Sequence, residues 1–248
     1  MKKFVKQGKQ NLSSNGLILY GKHAVMSALE NPNRKIKKLL CTVENATYVK
    51  SKYPNLNVVT VDKKEIDKLI PDATHQGYAL FCNPLDNLSI EELCEMASNK
   101  SKCNVLILDQ VTDPQNIGAI IRSCAAFGTM ALIVQDKNSP QESGAMAKAA
   151  AGTMELVPVV RVTNLARSIE TLKKNGFWIV GMDGYAKNNV DKIDKDAKLA
   201  VIMGSEGSGM RRLVEESCDI NVRLPINDRV ESLNVSTAAA IILYELSK

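Results

Sequence analysis

Apolar runs separated by polar breaks along this 248-residue chain predict most of its regular elements. Ordered structure begins at Leu17-Ile18-Leu19-Tyr20. A helix is expected over residues 22–29, ended by Asn31-Pro32, because the residue before a proline is pushed out of the helical region. Short apolar strands follow at 36–43, 58–61 and 78–82, with a helix near 63–70 between the last two. These elements make a small α/β unit over 17–83. Asn83-Pro84 then opens a linker, 84–102, with a helix of its own at 90–98.

From Cys103 the texture becomes a regular alternation. Strands are expected at 104–109, 130–134, 157–162, 177–182, 199–203 and 220–224. Helices are expected at 113–127, 143–151 and 164–175, after Gly209, and over 234–246. Strands that are apolar throughout and separated by helices indicate a parallel sheet covered on both faces, so 103–248 reads as a second α/β domain. Ligands of such sheets sit beyond the carboxyl ends of the strands. The polar first 16 residues, with Lys2, Lys3, Lys6 and Lys9 and no acid, read as a flexible basic tail.

Composition narrows the function classes. With 45% hydrophobic and 24% charged residues the chain can build a core. No apolar run approaches the roughly 18 residues of a membrane span, and the basic start has no apolar stretch behind it, which argues against a secretory signal. The six cysteines form no CxxC pair and only His23 and His75 are present, so neither a metal site nor a disulfide framework is expected, and a reducing, cytoplasmic setting fits. The charge is unevenly placed: residues 1–52 carry eleven Lys/Arg and two Asp/Glu, the remaining 196 carry 21 and 25. A polyanion-facing segment and a solvated lysine-rich surface both account for that front, and charge alone does not choose between them.

Three loops at strand ends combine uncharged hydrogen-bonding side chains with ionisable groups. In the first, DQVTDPQNIGAIIR, Asp109, Gln115, Asn116 and Arg122 gather around a strand end, with Asp113 as N-cap and Pro114 as first helical residue. Six positions apart on a helix, Asn116 and Arg122 point about 120° from each other, so spacing alone does not make them one site. The second, MGSEGSGMRR, places Gly204, Gly207 and Gly209 around Glu206. Its GxxGxG order, late in the chain, is not the dinucleotide-binding fingerprint, and no phosphate-cradling GxxxxGK[ST] occurs. The third, LPINDRVESLNVSTAAA, carries Ser232, Asn234 and Ser236, which are also ordinary cap residues. Three such loops point to one shared pocket.

Together DQVTDPQNIGAIIRSCAAFG, LAVIMGSEGSGMRRL and LPINDRVESLNVSTAAAIILYE resemble, in order and spacing, the three motifs of the SpoU/TrmH group of RNA 2′-O-ribose methyltransferases. GKHAVMSAL and HQGYAL resemble the small substrate-binding domain of that group's ribosomal-RNA guanosine branch. The resemblance implies an α/β SPOUT-type fold, mostly parallel, with a trefoil knot near the C-terminus and a small N-terminal α/β substrate-binding domain. It implies S-adenosylmethionine as methyl donor, no metal, a homodimer, and RNA, above all a guanosine of 23S ribosomal RNA, as substrate. Transfer RNA is the competing substrate, and a catalytically silent assembly factor the competing function.

By matching positions, the resemblance makes Asn116, Arg122, Glu206, Ser232 and Asn234 the catalytic set, and sets Gly204, Leu224, Ile226 and Leu233 against the donor. Where the family usually has Met and Gly this chain has Ile226 and Asp228; the first is an apolar exchange, the second a larger, charged side chain. An always-protonated arginine is a poor general base, so Arg122 is expected to bind a phosphate and stabilise developing charge. Lys22, Arg34, Lys35, Lys37 and Lys38 are expected to meet RNA phosphates, and His75 is either a further RNA contact or a turn residue.

Overall fold

A computed structural model describes residues 16–227 and 229–248. The basic tail expected over 1–16 lies outside the described residues apart from Gly16, as does Asp228. The chain order is β1 (Leu17–Tyr20), α1 (Lys22–Glu30), β2 (Ile36–Cys41), α2 (Val43–Lys52), β3 (Val58–Thr60), α3 (Lys63–Leu69) and β4 (Tyr78–Cys82), then α4 (Ile90–Ala97). There follow β5 (Cys103–Leu108), α5 (Pro114–Ala126), β6 (Leu132–Gln135), α6 (Gly144–Ala150), β7 (Val159–Val162), α7 (Leu165–Lys174) and β8 (Phe177–Met182). The chain ends with β9 (Asn188–Asn189), β10 (Lys198–Met203), α8 (Arg212–Glu215), β11 (Ile220–Arg223) and α9 (Val235–Ser247). No helix of the described residues is long and apolar enough to cross a membrane.

Two elements depart from the sequence expectation. The strand expected to run to 43 stops at Cys41, and Val43 instead opens α2. That helix buries only Ala46 and Val49 and is rich in β-branched residues, so its helical period is faint. The two-residue strand β9 has no apolar signature at all.

The larger sheet has strand order β7-β6-β5-β10-β8-β11-β9, and every neighbouring pair is parallel. Its strands alternate between two cores. Leu106, Leu108, Val201 and Met203 join the core under α5, α6 and α9, whereas Val105, Ile107, Ala200 and Ile202 join the core under α4 and α7. Burial on both faces explains why these strands read as continuous apolar runs. Strand order reverses between β5 and β10, a switch point at which the loops after both strands open side by side.

The smaller sheet, β1-β4-β2-β3, is mixed: β4 is antiparallel to β1 and β2, and β3 is parallel to β2. Its unit is not a bead on a string. Leu19, Val25, Ala28 and Leu80 share one core with Met146, Ala147 and Ala150 of α6. The connecting segment is packed as well. Leu88 N donates to the Val159 carbonyl at 3.0 Å, and a capping box at Ser89 and Glu92 starts α4.

The structure corrects one expectation outright. Arg34 is not available for phosphates: its side chain is 0% exposed and ion-paired to Glu142 at 2.6 Å and Glu155 at 2.5 Å. A basic residue followed by lysines in sequence has been turned inward by two acids, one before and one after α6. The cysteines are all free; burial pushes the Cys82 and Cys124 thiols up to about 12, which keeps them protonated.

Helix α6 can approach its neighbours because five of its seven residues are glycine or alanine. A Cβ on Gly118 of α5 would lie 2.3 Å from the Met146 carbonyl oxygen, and one on Gly144 would lie 2.5 Å from the Ile18 carbonyl oxygen. In an open helix, Gly→Ala gains up to about 1 kcal/mol. At position 118 the backbone clash wins, so Gly118→Ala is expected to destabilise the protein by about 1–3 kcal/mol, the range of overpacked cores. Urea unfolding measures it, and a midpoint at or above that of the unsubstituted protein would contradict this packing.

Candidate functional site

The three loops singled out in the sequence follow β5, β10 and β11, of which β5 and β10 are neighbours and β11 is one strand further on, beyond β8. Leu108 pairs with Met203, and Met203 with Met182, so the ends of β5, β10 and β8 lie level. After β5, Asp113 caps α5 by accepting from Gln115 N at 2.9 Å, and Asn116 sits in the first turn. After β10, Ser205 and Gly209 exchange backbone hydrogen bonds of 3.1 and 3.0 Å, and Gly207 and Gly209 take positive φ to close that turn. Gly204 is obligatory for a different reason. A Cβ there would lie 2.2 Å from the backbone of Gly209 and 2.4 Å from Met210 N.

One amide joins all three. Asn234 Oδ1 accepts from Ser236 N at 2.9 Å and from Thr237 N at 3.4 Å, so it caps α9. Its Nδ2 donates to Asn116 Oδ1 at 3.0 Å and to Glu206 Oε1 at 2.7 Å. Glu206 Oε1 also accepts from Val235 N at 3.1 Å, which places its negative charge at the positive N-terminal end of α9. The capping and functional readings of Asn234 are therefore compatible, because opposite ends of one carboxamide serve them.

Next to this junction is a cavity of about 300 Å³. Gly204, Leu224, Ile226 and Leu233 all line it, with Glu206 and Ser232. Sequence reasoning missed Met182, Asp183, Gly184 and Tyr185, which form another wall after β8. That loop also leaves a strand end, but its residues carry no motif, and only the rule on strand ends pointed to it. Its Asp183 side chain accepts from Tyr185 N at 3.0 Å, which folds the loop into a tight turn.

Asp109 and Arg122 behave otherwise than a simple gathering predicts. Asp109 is fully buried and holds the exit of the glycine loop: it accepts from Arg211 N at 2.9 Å and from Arg211 Nε at 2.8 Å. Arg211 had no distinguishing signal beside Arg212. Arg122 is exposed on α5, and among the described residues it takes no part in the Asn116–Asn234–Glu206 junction. Lys22, Lys35 and Lys37 are exposed, whereas Lys38 is half-buried with Nζ 4.6 Å from the centre of the Phe81 ring. His75 is buried and resolves as a turn residue: Nδ1 accepts from Gly77 N at 3.0 Å and Nε2 lies 2.8 Å from Asp67 Oδ1. Neither histidine lines the cavity.

Comparison with known proteins accords with this layout. Residues 104–244 match the model of the SpoU rRNA Methylase family, and residues 18–88 match RNA 2′-O ribose methyltransferase substrate binding. The chain is 36% identical over 237 residues to the 23S rRNA (guanosine-2′-O-)-methyltransferase RlmB of Coxiella burnetii, covering 93% of this chain and 94% of that one. It is 35% identical over 237 residues to a putative TrmH family tRNA/rRNA methyltransferase of Staphylococcus epidermidis, with the same coverage. In fold it is similar to the SpoU methyltransferase AviRb of Streptomyces viridochromogenes (TM-score 0.79, 21% identity, 95% of this chain and 90% of that one). It is also similar to an AdoMet-bound rRNA methyltransferase of Sinorhizobium meliloti (TM-score 0.78, 22% identity, 94% and 87%).

The junction makes a stability prediction independent of any activity. Asn234→Ala removes the α9 cap and is expected to cost about 1 kcal/mol in urea unfolding. Asn234→Ser keeps a capping oxygen and is expected to recover most of that loss while still lacking the Nδ2 bridge. Equal stability of the Ala variant and the unsubstituted protein would rule out the cap.

Proposed function

The chain belongs to the SpoU rRNA methylase family, and from that premise we propose that it methylates a ribose 2′-hydroxyl of RNA with S-adenosylmethionine, its target being a guanosine of 23S ribosomal RNA. The observation that carries this reading is the junction of Asn116, Glu206 and Asn234 beside a cavity lined by glycines, apolar side chains and several acids. The cavity suits the donor. Gly204 leaves no room for a side chain where the loop doubles back, which presents backbone rather than bulk to a ligand. Met182, Met203, Leu224 and Leu233 supply apolar contact, and Asp183, Glu206, Glu215 and Glu231 outnumber the one basic lining residue, Arg223, which leaves a net negative charge suited to a cationic ligand. S-adenosylmethionine, when bound, supplies an electrophilic methyl on a sulfonium.

The residues of this chain then have separable tasks. Asn116 and Asn234 hold each other and Glu206, so their free hydrogen-bonding capacity is pre-oriented rather than floppy. Ser232 is exposed at the cavity wall, and its task in this reading is to hydrogen-bond the ribose. Arg122 offers a solvent-accessible, permanently charged guanidinium for the phosphate next to the reacting ribose and for charge developing on its oxygen. No histidine stands at the cavity to act as base. Exposed Lys22, Lys35 and Lys37, with Lys38, supply phosphate contacts that position RNA without reading its sequence.

The same family likeness underlies three further parts of the proposal: a trefoil knot near the C-terminus, work in the cytoplasm, and a homodimer. Exposed Ile241 and Tyr244 on α9 are consistent with a dimer face.

Two experiments test the proposal. Incubation with labelled donor and total RNA, followed by mapping of the modified ribose, is expected to mark one guanosine of 23S RNA. Label in transfer RNA would reassign the substrate, and binding of ribosomal RNA without label would leave an assembly factor. Arg122→Ala is expected to lower methylation by about 10²–10³-fold, as for loss of one group that stabilises transition-state charge, with donor affinity within about twofold. Parallel loss of donor binding and turnover would remove Arg122 from that role.

A further inference from the structure

The N-terminal unit and the methyltransferase unit are joined by a buried charge cluster that the proposed chemistry does not use. Arg34 donates through Nε and Nη2 to the two oxygens of Glu155, at 3.2 and 2.5 Å, and through Nη1 to Glu142 at 2.6 Å and to the Asn83 carbonyl at 3.0 Å. Asn31 Nδ2 donates to Glu155 at 2.6 Å, and Leu85 N donates to Glu142 at 2.9 Å. One guanidinium thus faces two carboxylates. Burial raises the Glu142 carboxyl above its ordinary range in spite of the lowering effect of Arg34. Such a cluster is a weak source of stability, since desolvation offsets most of the attraction, but separating its partners would leave a buried charge uncompensated.

The two acids bracket α6, and α6 is the element pressed between the two units. On one side Gly144 meets β1, and Gly152 meets α1, where a Cβ would lie 2.3 Å from Ser27 Oγ and 3.0 Å from the His23 carbonyl oxygen. On the other side Gly118 brings α5 against α6, and α5 carries Asn116 and Arg122. Between the RNA-facing unit and the helix of the reacting site lies a spacer one small-residue helix thick.

Building on the proposed RNA methylation, we infer that Arg34, Glu142 and Glu155 are positioning residues. They clamp the N-terminal unit in one orientation on α6, so that the span from the lysine-bearing face to Asn116 and Arg122 selects which ribose is presented. A clamp of this kind sets target choice and has no part in donor binding.

Two variants keep the test interpretable. Arg34→Lys keeps the charge and loses the fork. The triple variant Arg34→Met, Glu142→Gln, Glu155→Gln leaves no buried charge unpaired and is expected to fold. Hydrogen exchange is read on amides 85–88 and 147–151, with 105–108 as control. In both variants the first two groups are expected to exchange at least about tenfold faster and the control to stay unchanged. Donor affinity should remain within about twofold. KM for ribosomal RNA should rise about tenfold or more with kcat less affected, and 2′-O-methyl marks should spread from one ribose to others. Rapid exchange at 85–88 and 147–151 already in the unsubstituted protein would overturn the clamp. So would folded variants with an unchanged KM and a single methylated ribose. If the unsubstituted protein shows slow exchange there but methylates no RNA, it is the proposed function that fails, and target selection by the clamp fails with it.

Discussion

The seven strands of the larger sheet share one direction and are buried on both faces, and most of what this chain can do follows from that constraint. All seven carboxyl ends lie along one edge, so the loops after β5, β8, β10 and β11 open together although the first follows Leu108 and the last Arg223. The reversal of strand order between β5 and β10 then leaves a crevice that helices cannot fill. The crevice owes its position to strand order and not to any polar side chain.

Within that crevice the side chain of Asn234 does what no charged residue could. Its oxygen caps α9 while its nitrogen donates to Asn116 and Glu206. An aspartate would keep the cap and repel Glu206; a serine would keep the cap and lack the second arm. Asp109 plays a comparable part for the glycine loop, spending its buried charge on Arg211. Loops that carry positive-φ glycines need such ties, because glycine gives them conformational freedom that a preorganised site has to lose.

The uneven charge along the chain also acquires a structural meaning. Of the basic residues near the front of the ordered part, Lys22, Lys35 and Lys37 remain open to solvent, Lys38 rests over an aromatic ring, and Arg34 is consumed inside the molecule. Net charge therefore overstates the surface available to a polyanion. The inward turn of Arg34 converts a local excess of charge into a joint between the two units, with α6 as the thin layer across which they meet.

The sequence by itself determined the α/β class, nearly every strand and helix of the larger sheet, the three loops worth attention and the family resemblance they carry. These are written in short-range patterns: apolar runs, caps, glycine spacing. Helix α2 escaped because only two of its residues are buried, which leaves almost no period to read. Tertiary structure alone decided that Asn234, Asn116 and Glu206 touch, that Asp109 serves Arg211, and that residues 182–185 wall the cavity. It alone distinguished Arg34 from Lys35, its neighbour of equal charge. The physical reason is the same throughout. A side chain's type and local period are properties of its own segment, but its burial and its partners depend on which distant segments the sheet order brings beside it.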